Sequence, residues 1–343
     1  MFDFLRRLTR REASESDTIL TGPGDGIVRV SGAELDLTAL ADWTNELPYP
    51  RWDGVYAWVD ALPQAQRADA WLQCERTWLA WLRDTLGGTY TVHESAHALL
   101  LTPHDARSAH VTLAFIGTTL RRVERLLEEL AAPDGLGKEI LLLFAGEDDY
   151  YRYVAHYYPE GGTYALSAGV HIGWGCAHFA AHATELDKLE PTIVHEMTHG
   201  LLAHLPIPAW LNEGMAVNAE QRLTRIGADY WAVRELEAKH RKFWTPELIQ
   251  EFWNGRSYLR TDAGNELSYD LGRIAVVALS HDWPAFKRFA AHASGDDGGA
   301  AAAHEVLGID LGEFVRAFLG HDDGDWGPQP GRWTDAPERG AFD

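Results

Sequence analysis

The chain has 343 residues, 51 acidic and 30 basic side chains, and a formal charge of −21. That acidity argues against a general nucleic-acid binder and against docking on anionic membranes, since both need Lys and Arg to meet phosphates. With 46 % hydrophobic residues and 14 Trp the chain can bury a large core, and its two distant cysteines, Cys74 and Cys176, argue against a disulfide scaffold and for a reducing compartment.

Residues 1–26 are polar and end in a Gly- and Pro-punctuated stretch, so they read as a flexible tail. The N-terminus lacks the apolar run of a secretory signal, and no stretch approaches the roughly 20 apolar residues that span a bilayer. The expectation is a soluble, cytoplasmic protein. Residues 27–88 read as an N-terminal helical extension, because Trp71, Leu72, Trp78, Leu79 and Leu82 recur at helical spacing before Gly87-Gly88. Tyr90 to Leu101 suggests a strand, Arg107 to Leu130 a long amphipathic helix, and Glu139 to Ala145 an interior strand that is apolar on both faces. A helix follows Gly146, with acidic residues in its first turn. Thr163 to Gly175 suggests an edge strand, alternating at Val170, Ile172 and Trp174.

Beyond residue 185 the pattern is helical, with helices expected near 190–205, 209–224, 228–241, 246–253, 266–281, 283–293 and 309–319. Residues 322–343 are rich in Asp, Gly and Pro and read as a disordered acidic tail. The fold class is therefore α+β. A mixed α/β lobe (89–184) precedes an all-helical lobe (185–321).

At the junction stands His195-Glu-Met-Thr-His199. Positions i and i+4 share a helix face, so the two imidazoles can bind one Zn²⁺ at about 2.0–2.1 Å each. Glu196 lies at the flank of that point, where it can take a proton from a metal-bound water. The bland alternative is an amphipathic helix whose histidines are satisfied by hydrogen bonds. Pro191 suits a first helical turn, and Pro206 and Pro208 end the helix and turn the chain. In the resulting antiparallel hairpin, His199 and Glu213 each lie about five residues from the turn, roughly 7.5 Å along their helices. Glu213 can then complete a His-His-Glu set with one open position, the catalytic rather than structural pattern of zinc. The metzincin positions for a third ligand are Leu202 and Leu205, and His204 points away. His93, His97, His104, His110, His178 and His182 read as surface or satisfied histidines.

His195-Glu-Met-Thr-His199 followed by Trp210-Leu-Asn-Glu-Gly-Met-Ala216 resembles the gluzincin metallopeptidases, closest to peptidase MA-like domain proteins and more distantly to zinc aminopeptidases. The resemblance implies a thermolysin-like zincin fold over 89–321 and one Zn²⁺ per chain. It carries the metal ligands to His195, His199 and Glu213 and the general base to Glu196. It also implies that Tyr269, with Tyr258 as runner-up, stabilises the oxyanion, and that 169–175 is the strand pairing with an extended substrate. The gap from His199 to Glu213 is shorter than in thermolysin, and no Gly-x-Met-x-Asn element is evident upstream. The function expected is hydrolysis of a peptide or protein substrate. The rival is a catalytically inactive scaffold or peptide-binding protein that keeps the fold.

Overall fold

The computed structural model describes residues 17–30, 32–132, 137–157, 169–173, 175–183, 186–224 and 230–333. They divide into two compact units, one of residues 17–121 and 137–193, the other of 122–132 and 194–333. The architecture is α+β. A mixed sheet with helices comes first, and a mostly helical region follows.

The first unit opens with β1 (Thr18–Ile19), then two hairpins: β2 (Ile27–Val30) with β3 (Ala33–Asp36), and β4 (Ala41–Thr44) with β5 (Leu47–Pro50). Two helices follow, α1 (Trp52–Asp60) and α2 (Gln64–Leu86). The strands over 27–30, 33–36, 41–44 and 47–50, with only a 3-10 turn at Leu37–Leu40, correct the expectation of a helical extension there. The second hairpin turns at Asn45-Glu46, both at positive φ (50° and 64°). Such a two-residue turn normally announces itself by Gly at its second position, and Glu46 hides it. Pro48 and Pro50 are tolerated because a two-stranded hairpin has only edge strands.

Tyr90 to Leu101 is not one strand but most of an antiparallel pair, β6 (Thr91–Glu94) and β7 (Ala98–Thr102). Ser95 Oγ accepts from the Ala98 backbone N–H at 3.1 Å and closes the turn between them. The helix α3 (Ala106–Leu127), the strand β8 (Glu139–Phe144) and the helix α4 (Glu147–Val154) follow near their expected positions. The strands β9 (Gly169–Ile172) and β10 (His178–His182) complete a six-stranded sheet of order β1-β6-β7-β8-β10-β9. The strand β8 lies parallel to both β7 and β10, and Ile140 to Phe144 are buried, as an unbroken apolar run requires.

The strand β9 ends the sheet order, and the rest of its expected span, 163–168 and 174, lies outside the described residues. The strand β10 is unexpected. It separates His178 and His182 by roughly 13 Å along an extended chain, too far to share a metal. The expected tail at 1–26 is ordered over 17–26. There β1 pairs with β6, and Asp17 meets His110 Nδ1 at 2.5 Å. Residues 1–16 lie outside the described residues.

The core of this unit is aromatic, with Trp78, Tyr49, Tyr153 and Phe144 all buried. His178 sits among them and is neutral by construction. Its Nδ1–H donates to the Cys176 carbonyl at 2.7 Å, so its Nε2 accepts from the Tyr153 hydroxyl, also at 2.7 Å. Burial pushes its pKa down to about 4. The unfolded chain takes up that proton near pH 6.5 and the folded chain only near 4, so stability is lost as pH falls between those values. The loss approaches about 3 kcal/mol. Urea unfolding at pH 7 and pH 5 should show about 2 kcal/mol of this fall in wild type and a shallower one in His178→Gln. Equal falls would contradict it.

The second unit takes the C-terminal half of α5 (Leu186–Leu202), then α6 (Ala209–Thr224), α7 (Tyr230–Phe243), α8 (Ile249–Trp253), α9 (Ala263–Leu279), α10 (Trp283–His292) and α11 (Leu311–Leu319). Their starts are written in the sequence. The carboxylates of Asp262, Asp282 and Asp310 cap α9, α10 and α11 by accepting from backbone N–H groups two or three residues on. Pro191, expected in a first turn, lies inside α5, because the helix begins earlier, at Leu186.

The expected disordered tail is also corrected over 322–333. Trp326 is buried, its carbonyl accepts from Trp253 Nε1 at 2.8 Å, and Gln250 bonds both Gly327 O and Gln329 N. Burying one indole outweighs the Asp- and Gly-rich composition around it. Residues 334–343 lie outside the described residues. No helix among the described residues is long and apolar enough to cross a membrane.

Candidate metal centre

The C-terminal half of α5 carries His195 and His199 one turn apart. Thr198 between them is buried and spends its hydroxyl on the Val194 carbonyl at 2.8 Å, so it does not compete for the imidazoles. The chain turns through Pro206 and Pro208. The helix α6 then starts with Trp210 and Leu211 fully buried, Trp210 donating its indole N–H to Gly298 O at 2.9 Å. That anchor fixes the rotation of α6 and places Glu213 inward, 3 % exposed.

His195, His199 and Glu213 converge so that one donor atom from each lies within 4.8 Å of the others, and among the described residues this is the sole such group of three or more. Glu213 Oε2 stands 3.3 Å from His195 Nε2 and 3.5 Å from His199 Nε2. Neither approach is a hydrogen bond: Glu213 Oε2 and His199 Nδ1 are buried and lack hydrogen-bond partners among the described residues. For ligands at about 2.05 Å from a tetrahedral zinc, the expected ligand–ligand separation is about 3.3–3.4 Å. The two Glu213–histidine separations lie near that edge, and the three donor atoms together lie within 4.8 Å. A buried carboxylate oxygen without a proton donor, facing two imidazole nitrogens, is a donor set suited to a dication.

The electrostatics agree. Burial pushes the His195 imidazole down, but the negative charge of Glu213 and Glu220 outweighs it and holds the group well above its ordinary range. His199 is raised too, burial again being outweighed by Glu213. For Glu213 burial works upward, and the two imidazoles reverse it, so the carboxyl stays ionised in a dry place. The pocket is a field that favours positive charge.

Glu220 is the residue sequence reasoning missed. Its Oε2 lies 3.4 Å from His195 Nδ1. A carboxylate there holds a proton on Nδ1, so a cation that displaces the proton from Nε2 would meet the tautomer a metal ligand needs. The available signal was spacing, since Glu220 stands two helical turns after Glu213 and so shares its face.

Glu196 is half-buried beside this cluster, and its charge acts on both imidazoles. The Tyr269 ring on α9 lies 6.3 Å from that of His195, centroid to centroid. Burial, then Glu213 and Glu196, raise its phenol. Among the described residues the Tyr269 hydroxyl has no hydrogen-bond partner. Tyr258 differs: it is buried and its hydroxyl donates to Ser268 O at 3.1 Å. His204 is exposed beyond the end of α5. His93, His104 and His178 are each bonded within the first unit. No family model matches this sequence, and no curated protein matches it.

Proposed function

We propose that the chain is a zinc-dependent metallopeptidase of the gluzincin kind, with a thermolysin-like zincin fold over residues 89–321 and a peptide or protein substrate. The observation that carries this reading is the spacing of Glu213 Oε2 from both imidazoles at the edge length of a zinc tetrahedron, without hydrogen-bond geometry. The order of elements supports it as well: a mixed sheet that ends at β9 among the described residues, then the His-Glu helix, then the Glu helix.

His195, His199 and Glu213 would hold one zinc ion, which when bound supplies Lewis acidity and lowers the pKa of its water toward about 7. Three protein ligands are the usual set of a catalytic zinc, and four that of a structural one. Glu196 would accept a proton from the attacking water and return it to the departing amine. Tyr269, whose hydroxyl is not consumed by the fold, donates to the oxygen on which negative charge develops. Tyr258 is engaged with backbone and supports α9 instead.

The test is metal content against activity. Purified protein should hold one zinc per chain, lose peptide hydrolysis on chelation, and regain it with one equivalent of zinc. Hydrolysis that survives complete chelation would rule the reading out.

A further inference from the structure

The helices α6 and α9 meet backbone to backbone. A Cβ built on Gly214 would stand 2.4 Å from Gly272 O, and one on Gly272 would stand 2.8 Å from Trp210 O and 2.9 Å from the Tyr258 hydroxyl. At the Gly214–Gly272 crossing no side chain fits, and one turn further along a polar side chain joins the two helices. That side chain is Asn218. Its Nδ2 donates to Gly214 O on its own helix at 2.7 Å and to Arg273 O on α9 at 3.0 Å. Both acceptors are carbonyl oxygens, so only the amide nitrogen can face them, and one side chain spends both its protons on the pair.

Arg273 follows Tyr269 by four residues and shares its helix face. Gly214 follows the ligand Glu213 by one. The residues around Tyr269 are each committed to the scaffold: Ser268 to Ser257, Asp270 to His240 and Arg273, and Gly272 to the helix contact. The Tyr269 ring lies 6.3 Å from that of His195, centroid to centroid.

We propose that Asn218 is a positioning residue: by clamping one carbonyl of α6 to one of α9 it fixes where the Tyr269 phenol stands relative to the Glu213 carboxylate. This rests on the reading above in which Tyr269 serves the developing oxyanion. Both bonds of the clamp go to backbone carbonyls, Gly214 O and Arg273 O, and not to the side chains of His195, His199 or Glu213. The proposed effect of its loss is thus on the Tyr269 phenol, which α9 carries. A donor displaced by about 1 Å can cost roughly 100-fold in rate.

The test uses the full chain with 3-fluorotyrosine at position 269. Asn218→Asp replaces the donor with an isosteric acceptor that repels both carbonyls, and Asn218→Ala serves where the Asp variant fails to fold. Thr224→Ala is the control, because it removes a hydroxyl bonded within α6, to Glu220 O, and not across to α9. The clamp predicts zinc affinity unchanged in all variants. In the Asn218 variants it also predicts loss of the fluorine shift that zinc induces at 269, and a kcat about 100-fold lower at unchanged KM. A wild-type fluorine response and kcat in those variants would overturn it. So would a fall in zinc affinity parallel to the fall in kcat, which would place Asn218 in the metal pocket. If wild-type zinc protein hydrolyses no peptide, the functional reading fails, and the fluorine response still decides the clamp.

Discussion

Glu196→Gln is expected to bind one zinc per chain with wild-type affinity and to hydrolyse peptide about 10²–10⁴-fold more slowly. The reasoning is positional. Glu196 directly follows a ligand on α5, so it sits beside the point where the three donors converge and not on it. Its charge reaches both imidazoles, but its carboxyl is not among the converging donors. A neutral amide of the same shape keeps the helix and the ligands but cannot accept a proton. Zinc content by mass spectrometry and initial rates on a peptide library check both halves. Wild-type rates would remove Glu196 as the base. Loss of zinc together with activity would make it part of the metal pocket.

The second large effect separates ligand from orienter. Glu213→Ala leaves two imidazoles and takes out an ion-pair partner they share. Glu220→Gln leaves all three donors and weakens only the hold on His195 Nδ1. Zinc affinity, measured by competition with a chromophoric chelator, should fall about 10–100-fold in Glu220→Gln and by clearly more in Glu213→Ala. Equal losses would mean that Glu213 is no more than a second support. A Glu213→Ala protein with full affinity would mean that the cation binds elsewhere.

The helical half of the fold is legible in the sequence because its signals are local. The caps at Asp262, Asp282 and Asp310 and the apolar periodicity between them place each helix within a few residues. The sheet half is less legible because its signals are tertiary. The strand β10 reads His-Phe-Ala-Ala-His and shows no apolar alternation. Its polar ends are tolerated because His178 is satisfied by Tyr153 and Cys176 O, partners remote from any strand pattern. The hairpin β4–β5 lacks the usual Gly, and β1 is two residues held by pairing with a strand more than seventy residues away.

The site divides in the same way. The spacing of His195, Glu196 and His199 is a property of one helix, and Glu213 follows from a hairpin of two. Glu220 and Asn218 matter through what they face, His195 Nδ1 and Arg273 O, and those contacts exist only once three helices have packed. Trp326 shows the converse. A composition that signals disorder gives way when one large aromatic finds a buried seat.

The central claim is that α5 and α6 together present two imidazole nitrogens and one carboxylate oxygen to a single cation. Zinc K-edge absorption fine structure on wild type and Glu213→Ala measures this directly. The account predicts a four-coordinate shell of nitrogen and oxygen at about 2.0–2.2 Å in wild type, with imidazole scattering from two rings. It predicts loss of that ordered shell in the variant. Sulfur scattering at about 2.3 Å, or the same shell in both proteins, would contradict it.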